Sequence, residues 1–103
     1  MKQQICPIVW LQDWYYSQCD GDWEHNENIL ITTIDNPGWR CAITLEGTMM
    51  EDIVFTNESV DKTETDWYRC WVENNVFIGF GGPYNLLNLI EVFKDWVKRH
   101  DVR

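Results

Sequence analysis

After the turn signal Asp35-Asn36-Pro37-Gly38, residues 39–46 alternate without interruption. Trp39, Cys41, Ile43 and Leu45 share one face, and Arg40, Ala42, Thr44 and Glu46 share the other. A period of two sustained this long fits a strand with one covered face, which makes an antiparallel sheet the frame of the chain. Asn28–Ile34 is rich in β-branched residues and runs into the same turn, where Pro37 and Gly38 suit the two central positions of a type II turn. The two segments should form a hairpin. Gly47-Thr48 turns the chain again, Asp52–Thr56 reads as a third, shorter strand, and the polar residues 57–66 read as a loop.

Asp66–Glu73 alternates with rings on both faces: Tyr68, Cys70 and Val72 on one, Trp67, Arg69, Trp71 and Glu73 on the other. Glu73-Asn74-Asn75 makes a tight turn into Val76–Phe80, and Gly79, Gly81 and Gly82 break that strand. Helical spacing brackets the strands. Residues 7–18 place Ile8, Leu11 and Tyr15 in one row and Trp10 with Trp14 in another, with Pro7 in the first turn. From Tyr84 to about Arg99, Leu86, Leu89, Ile90, Phe93 and Val97 form a stripe opposite Glu91, Lys94, Asp95 and Lys98.

The expected fold is α+β: an N-terminal helix, a four- to five-stranded, mostly antiparallel meander sheet and a C-terminal helix, with both helices on one face, in a single domain over 1–103. If Trp39 and Tyr68 face the helices, then Arg40, Thr44, Trp67, Arg69, Trp71, Glu73 and Phe77 point away. That second face needs a cover, either the 57–66 loop or another molecule.

The formal charge is −9, and thirteen of the seventeen acidic residues lie within 1–66 against three of the eight basic ones. Such a surface repels nucleic acid and anionic lipid and steers basic partners toward it. Seven tryptophans are more than one small core readily hides, and surplus rings are what protein interfaces select. Cys6, Cys19, Cys41 and Cys70 show neither a CxxC pair nor zinc spacing, and neither a secretory leader nor an 18-residue apolar run is visible. The expectation is a cytoplasmic protein with reduced thiols, no cofactor and no membrane or nucleic-acid partner.

The densest chemistry lies in Gln18–His25, which holds three carboxylates, an imidazole, a thiol and a tryptophan. Asp20, Asp22 and Glu24 could offer oxygen ligands and His25 a nitrogen, the starting point for a metal site or a small enzyme. A second ligand cluster is missing from the sequence, as are a nucleophile elbow and a phosphate-loop Lys-Ser/Thr after the glycines. A thiol transferase would want a cation beside its cysteine, and Cys19 precedes two carboxylates instead. The structural alternative has the carboxylates capping backbone N–H groups in a turn that Gly21 permits, Trp23 plugging the core, His25 hydrogen-bonded to a carboxylate and Asp22 capping a strand end. Pro37, Gly38 and Trp39 would form a companion structural turn.

Trp10-Leu11, Trp14-Tyr15, the Cys19–His25 string, the Asp35–Trp39 turn, Gly47-Thr48, Asp66-Trp67 and Asn85-Leu86 together resemble the immunity protein 53 family, through nearly the whole chain. The resemblance implies a cytoplasmic partner of a bacterial polymorphic toxin that binds the cognate toxin domain and blocks it, with no catalytic residues to carry over. A small acidic chain with surplus tryptophans suits stoichiometric inhibition of a basic enzyme, a basic nuclease being one such target. The expected toxin-binding residues are Asp20, Asp22 and Glu24 for steering, and Trp67 and Trp71 as anchors beside Arg69 and Glu73. Competing readings are an enzyme, metal-dependent or otherwise, on the Asp20–His25 loop, and a homodimer through the open sheet face.

Overall fold

The computed structural model describes residues 6–100; both ends of the expected 1–103 domain lie outside them. Helix α1 spans Pro7–Gln18, opened by a proline whose missing N–H needs no partner there, and a single turn, α2, spans Trp23–Asn26. Strands follow at Ile29–Ile34 (β1), Gly38–Thr44 (β2), Glu58–Thr63 (β3), Asp66–Glu73 (β4) and Val76–Gly81 (β5), and helix α3 spans Leu86–His100. The strands form one sheet in the order β1-β2-β5-β4-β3, every neighbour antiparallel. This is the expected α+β class. Strands β3, β4 and β5 run as a meander, and the β1-β2 hairpin joins that meander at β5.

The covered face is set by register. Ile43, Phe77 and Val72 make one row across β2, β5 and β4; Cys41, Gly79 and Cys70 make the next; Trp39, Gly81 and Tyr68 make the third. The middle row is a trough of small residues, and α3 settles into it: a Cβ on Gly79 would stand 3.1 Å from a Leu89 methyl and 3.4 Å from the Cys70 sulfur. Phe77, Phe93 and Trp96 bury almost completely where helix meets sheet, with Phe77 and Phe93 centroids 5.1 Å apart. Helix α1 packs against α3, Trp14 meeting Phe93 edge-on at 5.0 Å. Truncating any of these rings to alanine should cost roughly 3–5 kcal/mol, because the cavity adds to the lost transfer energy.

Asn85 joins the layers. It is 3% exposed; its side-chain oxygen accepts the Trp67 N–H at 3.2 Å, and its amide donates to Asp66 at 3.0 Å and Asn88 at 2.8 Å. The start of α3 is thereby tied to the start of β4.

Several expectations change. Asp52–Thr56 is not a strand; it belongs to the crossover from β2 to β3 at residues 45–57, which passes on the helix side of the sheet. Its alternation is real, since Ile53 and Phe55 pack inward and Val54 is 82% exposed, but Phe55 packs edge-on against both Phe77 and Trp96, and the Trp96 indole N–H donates to the Val54 carbonyl. That path pairs with no strand. Asn75 fixes the crossover, accepting the Asp52 N–H and donating to its carboxylate.

The strand lies in the stretch expected to be a loop: Glu58–Thr63 pairs with β4 at the edge of the sheet, where polar residues suffice because only Val60 and Glu58 turn to the covered side. Phe77, expected to face away, is fully buried under α3. The two-residue turn Asn74-Asn75, both at positive φ, pairs Val72 with Phe77 and so puts Phe77 on the covered face. No type II turn forms either. The Asn36-Pro37 bond is cis, Gly38 begins β2 outside the left-handed region, and a Cβ on Gly38 would run into the Gly81 carbonyl oxygen. Gly79 and Gly81 stay inside β5 rather than breaking it. In α1 the inward row is Trp10, Leu11 and Trp14, with Ile8 and Tyr15 outward.

Burial pushes the Cys41 and Cys70 thiols up to about 12. A thiolate-directed reagent at neutral pH should therefore label Cys6 and Cys19 in the native protein and reach Cys41 and Cys70 only after unfolding. Intact-mass spectrometry before and after denaturation reads this directly; native labelling of four sites would contradict the packing.

Candidate functional site

The face of the sheet opposite the helices is bare among the described residues, and the strand register organises it into rows. Thr32, Arg40, Phe80, Arg69 and Ser59 cross the sheet in one row, and Leu30, Ala42, Ile78 and Trp71 in the next. Trp71 and Phe80, diagonal neighbours, stack with centroids 5.8 Å apart and planes 15° off parallel. The Arg40 guanidinium carbon stands 5.9 Å from the Phe80 ring centre, within cation–π range. Beside this stack, Gly38 contributes no side chain next to Ile34. A groove of about 380 Å³ opens there, lined by Ile34, Asn36, Trp67, Arg69, Trp71 and Phe80.

Trp67 and Trp71 remain half-buried, and Arg69 and Glu73 are exposed. Glu73 accepts the Trp71 indole N–H at 3.2 Å, which fixes that ring in place. Rigid aromatic surface flanked by arginine is the chemistry protein interfaces use for anchors. Sequence reasoning placed Trp67, Arg69, Trp71 and Glu73 on this face and missed Phe80 and Ile34. The signal for Phe80 was its odd spacing from Phe77: if one ring is covered, the other is not.

The Cys19–His25 string is held by its own backbone. Asp20 Oδ1 accepts the N–H groups of Asp22 at 3.0 Å and Trp23 at 2.9 Å, and the Glu24 carboxylate reaches back to the N–H groups of Asp20 and Gly21, both at 2.9 Å. This reciprocal pattern works like a capping box, the two carboxylates satisfying the backbone donors of the turn that leads into α2 and of its first residue. Gly21 sits at φ +89°, where a side chain would strain the turn. Trp23 is buried against Trp14 and Tyr15, and its indole N–H donates to the Glu46 carbonyl at 2.8 Å. Asp22 accepts from the Asn26 amide rather than capping a strand end, and His25 is exposed, with no hydrogen bond to its imidazole among the described residues. Among the described residues, no three His, Cys, Asp or Glu side chains gather as a metal-ligand set.

The two halves of the expected binding set are not one patch. The string is anchored at Glu46, just past the end of β2 on the helix side, whereas Trp67 stands on the bare face near Gly38 at the other end of that strand, which is about 20 Å long at roughly 3.3 Å per residue. Of the turn that holds Pro37 and Gly38, Asn36 is the residue that lines the groove, and Trp39 turns to the covered face, its indole N–H donating to the Pro83 carbonyl at 3.1 Å.

A bare sheet face with a fixed aromatic stack, opposite a helix-covered core, is the kind of surface found on protein-binding domains. A family model described as immunity protein 53 matches residues 8–98, and the chain belongs to that family. No curated protein and no solved structure matches it. None of the helices among the described residues is long and apolar enough to cross a membrane.

Backbone donors hold both Asp20 and Glu24 below the ordinary carboxylate range: chiefly the Trp23 N–H for Asp20, and for Glu24 its own N–H, followed by those of Asp20 and Gly21. A depressed folded-state pKa contributes stability above the unfolded value and loses it as pH falls through the folded one. Thermal melts between about pH 6 and pH 3 should therefore show a smaller acid-induced loss for Asp20→Asn/Glu24→Gln than for the wild type. Parallel curves would mean that these carboxylates do not hold the turn.

Proposed function

We propose that this chain is a cytoplasmic immunity protein that binds a cognate bacterial toxin domain one to one and blocks it, with the bare sheet face as the contact surface. The observation that carries this reading is the Trp71–Phe80 stack beside the groove of Trp67, an ordered aromatic surface without an intramolecular cover among the described residues. Family membership supports an immunity role in general. The charge of −9 supports a basic target, a nuclease being one class that fits. Asp20, Asp22 and Glu24 act in this reading through the long-range field, which needs no direct contact, while Trp67, Trp71, Arg69 and Glu73 touch the partner.

An enzyme on the Asp20–His25 string gains little from the geometry, because both Asp20 and Glu24 are engaged by backbone donors. Binding without chemistry needs no cofactor.

Calorimetric titration with the toxin domain encoded beside the gene tests the reading. Tight one-to-one binding that weakens with salt is expected, and Trp67→Ala/Trp71→Ala should lose about 4 kcal/mol or more while the fold is kept. Unchanged affinity in that variant would remove the sheet face from the interface.

A further inference from the structure

The two edges of the sheet are built differently. The β3 edge, Glu58–Thr63, carries Asp61 and Lys62 and a register irregularity between Asp61 and Thr63, the devices by which proteins discourage stray strand pairing. The β1 edge, Ile29–Ile34, has neither: its six residues are Ile-Leu-Ile-Thr-Thr-Ile, regular in register and uncharged. Leu30 and Ile31 are 45% and 37% exposed.

The backbone direction along this edge follows from one hydrogen bond. Asn28 accepts the Thr44 N–H, so Asn28 and its alternates, residues 30, 32 and 34, turn their backbone groups to β2. Ile29, Ile31 and Thr33 then present their N–H and C=O groups outward, among the described residues unpaired by any strand.

We infer that the β1 edge accepts an extended segment of the toxin as a sixth strand, a segment with an uncharged β-branched middle and basic ends. This rests on the immunity reading and adds how the partner is held. Glu27 and Asp35 flank the bare edge, so an incoming strand with Lys or Arg at its ends meets opposite charge at both. A second copy fits worse. The twofold register that uses Ile29, Ile31 and Thr33 on both strands sets Glu27 of each copy against Asp35 of the other, and each copy carries −9. The edge is also continuous with the proposed contact face: Ile34 of β1 lines the groove with Trp67.

The test compares the wild type with Ile31→Pro, using the toxin domain encoded beside the gene as the probe. The Ile31 N–H points outward, so proline removes no bond to β2, and edge positions tolerate it. The variant should keep its circular dichroism and bind about 100-fold more weakly. Amide exchange on the wild type gives an independent readout should Ile31→Pro misfold: the Ile29, Ile31 and Thr33 amides should exchange quickly alone and become protected in the complex.

Wild-type binding with neither the weakening nor the protection would overturn the edge inference and leave the immunity reading standing. No binding by the wild type would overturn that reading and this inference with it. A dimer of the free chain in sedimentation, dissociated by Ile31→Pro, would make a second copy the occupant and overturn the assignment to the toxin.

Discussion

Helix α3 can lie flat on the sheet because β5 removes its own side chains from the contact at Gly79 and Gly81 while placing Phe77 where a ring is needed. The rest of the core is arranged around that contact. Phe93 and Trp96 close over Phe77, Phe55 enters from the crossover, and Trp14 seals the outer side from α1. Asn85 carries the consequence to the bare face, because the helix start it anchors is hydrogen-bonded to the first residues of β4, the strand that displays Trp67 and Trp71. A buried amide of this kind is costly to leave unpaired, about 1–3 kcal/mol, which ties the placement of the open-face rings to the integrity of the core.

The tryptophans divide by role. Trp10, Trp14, Trp23, Trp39 and Trp96 lie on the helix side of the sheet, and three of their indole N–H groups are satisfied by carbonyls of Glu46, Pro83 and Val54. Trp67 and Trp71 lie on the other side of the sheet, where, among the described residues, neighbours on the same face hold them and no second layer covers them. Rings fixed before binding lose little rotamer freedom in the complex, which is why rigid aromatic surface is efficient contact area.

Much of this was legible in the sequence. Helix α1 has the expected bounds, the β1-β2 hairpin, β4 and the Asn74-Asn75 turn follow from alternation and turn residues, and the bare face was placed on Trp67, Arg69, Trp71 and Glu73. The misses have local causes. Ile53-Val54-Phe55 alternates like a strand, yet alternation reports an extended chain with one side covered and says nothing of hydrogen-bonded neighbours. The polar Glu58–Thr63 stretch hid an edge strand because an edge needs little apolar surface. In Val76–Phe80 both faces are apolar, and only the turn register decides which ring is covered. The Cys19–His25 string looked like chemistry because carboxylates that cap backbone donors have the same residue types as carboxylates that bind ligands.

In the proposed complex the toxin sits on the bare face and the helix side stays free, so the indole N–H signals of the seven tryptophans form a built-in map. A ¹H–¹⁵N titration of the labelled protein with the toxin domain reads it directly. With the toxin on the bare face, the Trp67 and Trp71 signals shift while those of Trp23, Trp39 and Trp96 stay in place. Movement of Trp23 with Trp67 and Trp71 unmoved would put the partner against the acidic string on the helix side and contradict that placement.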